Sequence, residues 1–113
     1  MHEMSLCESV MQVIEDHAQR QGFSRVNTVW LEIGDLAGVE LEAMRFSFEA
    51  ISRNTLADRA RLEIVELPGQ AWCMPCALTV TVHQRFAQCP KCGSYQLQVT
   101  GGNEMRIKEL EVE

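Results

Sequence analysis

The stretch that decides the architecture of this chain is Cys73-Met74-Pro75-Cys76, followed after twelve residues by Cys89-Pro90-Lys91-Cys92. Two Cys-x-x-Cys knuckles at this spacing can bring four thiolates around one tetrahedral centre, the geometry and ligand set that Zn²⁺ favours. Four cysteine ligands leave no coordination position for a substrate. The segment therefore predicts a closed structural zinc site, with Cys73, Cys76, Cys89 and Cys92 as ligands.

Charge separates this stretch from the rest of the chain. All 16 Asp and Glu residues lie outside residues 68–99, where Arg85 and Lys91 are the only Lys or Arg residues. The formal net charge of −6 argues against nucleic-acid binding, which usually needs a basic surface. We therefore predict a zinc-ribbon domain over residues 68–100 and an acidic, discontinuous domain formed by residues 1–67 and 101–113.

The chain shows no sign of export or membrane insertion. It contains no run of about 18 apolar residues, and its start lacks the basic and apolar regions of a secretory signal. In a cytoplasmic protein thiols stay reduced, so the knuckles are expected to hold metal rather than form disulfides. We predict a cytoplasmic protein that binds no membrane.

Apolar periodicity predicts the regular elements of the acidic domain. Ser5 and Glu8 have the spacing of a capping box, and the helical pattern after them predicts a helix over residues 5–21 that stops at Gly22. Alternation over residues 25–33 is typical of a strand. The remaining predictions are a helix over 40–53, strands over 62–67 and 105–112, and short antiparallel ribbon strands such as 79–83. This is an α+β fold whose last strand returns to the core after the ribbon.

His2 is a second candidate metal ligand. A histidine beside the amino terminus can chelate through the terminal amine, its own backbone nitrogen and its imidazole, a nitrogen-rich set that suits Ni²⁺ or Cu²⁺. A histidine in a frayed terminus can equally be inert. From the residues alone both interpretations of His2 stay open.

Three further residues have ordinary interpretations. Cys7 lies on the apolar face of the first predicted helix and is expected to be a small core residue. His17 is expected at the boundary of that face, and His83 either faces solvent on a ribbon strand or makes a secondary metal contact. The sequence contains no Ser/His/Asp arrangement or phosphate-binding Gly-rich loop, so we predict that the protein is not an enzyme.

Several segments spread along nearly the whole chain are typical of one family: Met1-His2-Glu3, residues 29–34, Val39-Glu40, the four cysteines and residues 102–107. With this start and this cysteine spacing, the chain resembles the HypA/HybF family, whose members are nickel metallochaperones for maturation of nickel–iron hydrogenases. The resemblance implies a nickel-binding domain of two helices and a short, mainly antiparallel sheet, with an inserted zinc ribbon. It also implies Ni²⁺ as transferable cargo and Zn²⁺ as a structural ion.

The resemblance further implies a ligand set and partners. Nickel would be bound by the Met1 amine, the His2 side chain and backbone amides including that of Glu3, and Glu40 occupies the place of a carboxylate that lies near nickel in some members. The implied partners are a HypB-type nickel GTPase and the precursor of the hydrogenase large subunit. Some members also serve urease maturation, and the residues leave open whether the chain is a monomer or a homodimer.

Two other functions stay open on the residues themselves. The chain could be a zinc-ribbon interaction adaptor without nickel chemistry. It could also be a thiol redox protein, because Cys-x-x-Cys motifs can exchange disulfides. Nickel binding distinguishes the first alternative, and the number of protected thiols distinguishes the second.

Overall fold

A computed structural model describes residues 2–113 and contains two helices and six strands in that range. This confirms the predicted α+β class. The elements in chain order are α1 (Glu3–Gln21), β1 (Val26–Gly34), α2 (Leu41–Ser52), β2 (Arg61–Leu67), β3 (Gly69–Cys73), β4 (Leu78–Val82), β5 (Leu97–Gly101) and β6 (Met105–Val112).

Helix α1 begins earlier than the capping pattern predicts. His2 is its N-cap residue, and the His2 carbonyl already accepts a bond from the Leu6 amide at 3.1 Å, so Ser5 lies inside the helix and the predicted capping box is wrong. The helix can start before Ser5 because packing of its apolar face, which begins at the buried Cys7, stabilises it without a side-chain cap. Its end is as predicted: Gly22 adopts a left-handed φ of 78° and donates to the Ala18 carbonyl.

Strand β1 is central in the first sheet, whose order is β2-β1-β6. Arg25 and Glu113 exchange backbone hydrogen bonds at one end, and the Gly34 amide donates to Glu104 at the other, so β1 and β6 run antiparallel. The Asp35 amide, just after β1, donates to Leu67 at the end of β2, which shows that these two strands run parallel. A parallel pair needs a crossover connection, and α2 provides it.

The second sheet contains the three remaining strands in the order β4-β3-β5. β3 pairs antiparallel with both neighbours, with Cys73 opposite Leu78 on one side and Leu97 on the other. A register irregularity between Gln70 and Ala71 interrupts the β3–β5 ladder. These are the short antiparallel ribbon strands that the sequence predicts.

The chain divides into two compact units. The first, here called the α/β unit, comprises Met1–Leu31, Val39–Ile64 and Ile107–Glu113, and the second, the ribbon unit, comprises Glu32–Gly38 and Val65–Arg106. Residues 68–100, the predicted ribbon domain, lie within the ribbon unit, and the predicted domain boundaries stay a prediction.

Each unit has its own core. In the α/β unit, α1 and α2 pack together through buried apolar side chains such as Ile14, Met44 and Phe48. In the ribbon unit, Leu36 from the loop after β1 is buried with Ala71, Val80, Val82, Cys73 and Cys89. The sequence predicts residues 34–38 only as a loop, whereas the structure shows that this loop contributes a core residue to the ribbon unit. No helix in residues 2–113 is long and apolar enough to span a membrane.

Candidate metal centres

The two cysteine knuckles share one backbone arrangement. In the first, the Ala77 amide donates to the Cys73 carbonyl at 2.8 Å, and in the second the Gly93 amide donates to Cys89 at the same distance. Ala77 and Gly93 both have left-handed φ values, 53° and 77°. This conformation costs an alanine about 1–2 kcal/mol. In the first knuckle Ala77 therefore adopts a conformation that alanine disfavours. This is expected when contacts other than local backbone propensity fix the turn.

The knuckles bring the four cysteines together at metal-binding distance. All four Sγ atoms lie within 4.8 Å of one another, with Cys73–Cys92 at 3.6 Å and Cys76–Cys89 at 3.9 Å. Zn–S bonds of about 2.3 Å in a tetrahedral site place sulfur atoms about 3.8 Å apart. These two separations lie on either side of that value, so the residues fit a four-thiolate zinc ion.

The surroundings shift the pKa values of Cys89 and Cys76 in opposite directions. Hydrogen bonds from the backbone amides of Cys92 and Lys91 lower the pKa of Cys89 to about 6, the first being the larger cause. Side-chain hydrogen bonds with Cys92 and Cys73 raise the pKa of Cys76 to about 12. Thiols this close cannot all ionise unless a cation compensates their mutual repulsion. A divalent ion bound by all four thiolates supplies that charge.

The knuckles do not provide the setting of a redox dithiol. A reactive Cys-x-x-Cys thiol is typically activated at the start of a helix. Here the residues after Cys73 and after Cys89 form turns, and the first turn leads into strand β4. Each cysteine of the first knuckle also approaches a cysteine of the second, Cys73 with Cys92 and Cys76 with Cys89. This arrangement favours a closed metal site over disulfide exchange.

The amino-terminal candidate lies where α1 begins. His2 is exposed and has an extended conformation, with φ −96° and ψ 99°. The first amides of a helix have no carbonyl one turn before them, so the amide of Glu3 is not used by the helix. The predicted ligand Met1 lies outside the described residues. The described part of the motif is thus an exposed imidazole beside a backbone amide that forms no helical hydrogen bond and interacts with the Glu3 carboxylate.

Glu3 and Glu40 are joined by a hydrogen bond between the starts of the two helices. The Glu40 amide donates to Glu3 Oε2 at 3.1 Å, and this bond is the main cause that lowers the pKa of the Glu3 carboxyl. The Glu40 carboxylate caps α2 through Oε2, which accepts from the Ala43 amide at 2.6 Å. Glu40 therefore has a structural role, and the structure places it beside Glu3 although the two residues are 37 positions apart in the sequence.

The remaining candidates lie apart from the cysteine cluster. Cys7 is fully buried, its Sγ lies 3.5 Å from the Met44 carbonyl oxygen, and burial raises its pKa to about 11. His17 is half-buried on α1. His83 is 76% exposed, and its Nδ1 lies 3.1 Å from Asp35 Oδ2. The sequence contains no signal for this last contact, because Asp35 lies in a distant loop whose placement depends on the buried Leu36.

Comparisons with known proteins agree along the whole chain. The family model described as "Hydrogenase/urease nickel incorporation, metallochaperone, hypA" matches residues 1–112. The chain is 65% identical to hydrogenase maturation factor HypA of Albidiferax ferrireducens, and the match covers 100% of both proteins. It is 64% identical to HypA of Alkalilimnicola ehrlichii, again with 100% of both chains covered.

A solved structure is also similar. The solution structure of the Ni metallochaperone HypA from Helicobacter pylori matches with a TM-score of 0.70 and 28% sequence identity. The match covers 99% of this chain and 97% of that chain. The similarity therefore includes the cysteine knuckles and both helices rather than one unit alone.

Proposed function

The chain belongs to the HypA family, and on that premise we propose that it binds Ni²⁺ at its amino terminus and delivers it for maturation of nickel–iron hydrogenase. The observation that carries the proposal is the coexistence of a closed four-cysteine site with an exposed His2 at the start of α1. A closed site retains its ion, whereas an exposed terminal site can release one to a partner. The protein is thus a metallochaperone and maturation factor.

The ligands proposed for nickel are the Met1 amine, the His2 imidazole and backbone amides including that of Glu3. A backbone amide that binds nickel must lose its proton, and the negative charge so formed lies at the positive end of the helix dipole of α1. The early start of α1, with His2 as N-cap, supports this arrangement. Because each donor must be deprotonated, nickel affinity is expected to fall as pH falls.

Glu40 is a further candidate ligand. Its amide is bonded to the carboxylate of Glu3, which supports its position beside the terminal motif. Its Oε2 is used to cap α2, so coordination of nickel would use Oε1 or would release the cap. Glu40→Gln keeps an oxygen that can cap the helix and removes the charge. It should therefore weaken nickel binding with little effect on folding if Glu40 is a ligand.

Cys73, Cys76, Cys89 and Cys92 are the proposed zinc ligands. The closeness of their sulfur atoms supports this assignment. When bound, zinc supplies structural stability to the ribbon unit and no reaction chemistry, since its four positions are filled by protein.

The partners and cellular place are proposed from the family. Nickel transfer would involve a HypB-type nickel GTPase and the large-subunit precursor of hydrogenase, in the cytoplasm, and the family model's description extends to urease. We also propose that the chain can act as a homodimer. The adaptor and redox alternatives have no support in the comparisons, since each relative and structure named above is a HypA protein.

The test is maturation of hydrogenase in cells that lack their own copy of this protein. Restoring the wild-type chain should restore hydrogenase activity and nickel in the large subunit. The His2→Ala variant should restore neither, while the matched control His17→Ala, on the same helix, should act as wild type. The proposal is wrong if the His2→Ala variant matures hydrogenase normally at low external nickel.

A further inference from the structure

The ribbon unit exposes two aromatic side chains around a small apolar pocket that neither metal site uses. The pocket has a volume of about 140 Å³ and is lined by Ala71, Val82, Phe86, Tyr95 and Val99 among others. Phe86 is 94% exposed and Tyr95 is 70% exposed. Aromatic side chains bury large areas when they can, so a pair left in solvent beside a pocket is typical of an interaction surface. We refer to these five residues with Arg85 as the aromatic pocket.

The backbone of Phe86 adopts a strained conformation. Its φ is 62°, in the left-handed region that non-glycine residues disfavour. The residues on either side of Phe86 are fixed: Arg85 Nε donates to the Leu36 carbonyl at 3.0 Å, and Ala87 packs against the ribbon core. Strain that is kept by surrounding contacts is often associated with function. The exposed ring is thus part of an ordered surface.

Charge gives this surface a preference for one kind of partner. Residues 68–99 contain no Asp or Glu, and Arg85 lines the pocket. Within residues 2–113 neither Arg85 nor Lys91 forms an ion pair, whereas Glu32 and Asp35 of the same unit are paired with Arg106 and His83. The guanidinium of Arg85 uses one N–H on Leu36 and retains others, which suit a carboxylate.

We propose that the aromatic pocket binds an acidic peptide segment of a partner protein, with one apolar side chain inserted between Phe86 and Tyr95. The size is appropriate for one such group, because a protein cavity of about 150 Å³ accepts a benzene molecule. Carboxylates beside that anchor would bind Arg85 and meet no like charge from residues 68–99. This surface is independent of nickel binding, so failure of either proposal leaves the other in place.

The test is an NMR titration of the full, zinc-loaded chain with three blocked peptides of equal length. The first has a central leucine flanked by glutamates, the second replaces the glutamates with lysines, and the third replaces the leucine with glycine. We expect the first to shift the amide signals of Ala71, Phe86, Tyr95 and Val99, and to bind about tenfold more tightly than either of the others. Its affinity should fall as salt is added.

Two variants distinguish specific binding at the aromatic pocket from nonspecific binding to exposed apolar side chains. Phe86→Ala should weaken binding of the acidic leucine peptide about tenfold, because it removes the exposed anchor contact. Phe46→Ala is the matched control: Phe46 is 71% exposed on α2 and outside the ribbon unit, so its loss should leave binding unchanged. Both side chains are on the surface, and both variants should fold.

Three results would overturn the proposal. The first is equal binding of the lysine and glutamate peptides, and the second is a shift pattern located away from the pocket. The third is concentration-dependent dimerisation that Phe86→Ala abolishes while no peptide binds, which would assign the surface to a second copy of the chain.

Discussion

The two candidate metal sites are built in opposite ways. The cysteine site takes its ligands from two knuckles that are separated by twelve residues, and each knuckle is held by the same backbone turn. The amino-terminal site takes its proposed ligands from consecutive residues beside the start of one helix, with His2 exposed. The first site cannot exist unless the ribbon unit folds, whereas the consecutive ligands Met1, His2 and Glu3 of the second need only a short piece of chain. The fold brings Glu3 to the further candidate Glu40. This difference suits a resident ion in one case and a transferable ion in the other.

The largest expected effect comes from breaking the cysteine site. Cys73→Ser should abolish zinc binding and unfold mainly the ribbon unit, because the free energy of binding structural zinc is of the order of 10–16 kcal/mol in zinc-finger peptides. Zinc content and the amide NMR spectrum measure both effects. Nickel binding at the amino terminus should persist, which separates the two sites.

The control for this variant is Cys7→Ala, since Cys7 is buried in the α/β unit and lies outside the cluster. It should retain zinc. Full zinc content and an intact ribbon spectrum in Cys73→Ser would show that the four-cysteine assignment is mistaken.

A smaller effect tests how far the cysteine site depends on the fold around it. Gly102 has a φ of 83°, and a Cβ there would lie 2.5 Å from Gly69 Cα and from the Pro68 carbonyl oxygen. These are backbone atoms that cannot rotate away, so Gly102→Ala should cost at least about 3 kcal/mol in urea unfolding. Zinc should also pass faster to a chelator.

Gly38 provides the matched comparison. Its φ of 73° is similar, but a Cβ would meet nothing within 4 Å. Gly38→Ala should therefore cost only the backbone term of about 1–2 kcal/mol. Equal losses for the two alanine variants would mean that the close approach of Gly102 to β3 does not limit stability.

The smallest effect concerns a thiol that belongs to neither site. Burial raises the pKa of Cys7 from 9.0 to about 11, so its thiol ionises in the unfolded chain before it does in the folded one. The resulting contribution to stability is complete below pH 9 and is lost as pH rises to 11. Cys7→Ala should cost about 1 kcal/mol at pH 7 through lost packing.

The pH dependence of that variant isolates the Cys7 thiol. The unfolding free energy of the wild type minus that of Cys7→Ala should fall between pH 9 and 11. The titrations of other groups contribute equally to both proteins and cancel in this difference. A difference that stays constant over this range would show that the Cys7 thiol is not shielded from solvent.

Local sequence signals predict most of the elements. Period-two alternation identifies β1 and β6, and Gly22 identifies the end of α1, because each depends on neighbouring residues. The predicted cap at Ser5 is wrong because tertiary packing of the apolar face allows α1 to begin at Glu3. Propensity and capping are weak compared with burial of a helix face.

The cysteine spacing likewise predicts the cluster, since ligand type and spacing are local properties of the knuckles. The sequence could not place Leu36 in the ribbon core, pair His83 with Asp35, or bring Glu40 to Glu3. Each of these contacts joins residues tens of positions apart, and their meeting depends on the packing of whole elements. The aromatic pocket likewise has no signal in the sequence, because the position of Phe86 depends on distant contacts of its neighbours: Arg85 is hydrogen-bonded to Leu36, and Ala87 packs on the ribbon core.

The most direct test of the separation between the two sites is native mass spectrometry of the untagged chain titrated with Ni²⁺. The account predicts that the wild type carries one zinc ion and gains one nickel ion, while His2→Ala retains zinc and gains no nickel at the same concentration. Nickel uptake by His2→Ala with wild-type affinity, or nickel uptake accompanied by loss of zinc, would contradict it.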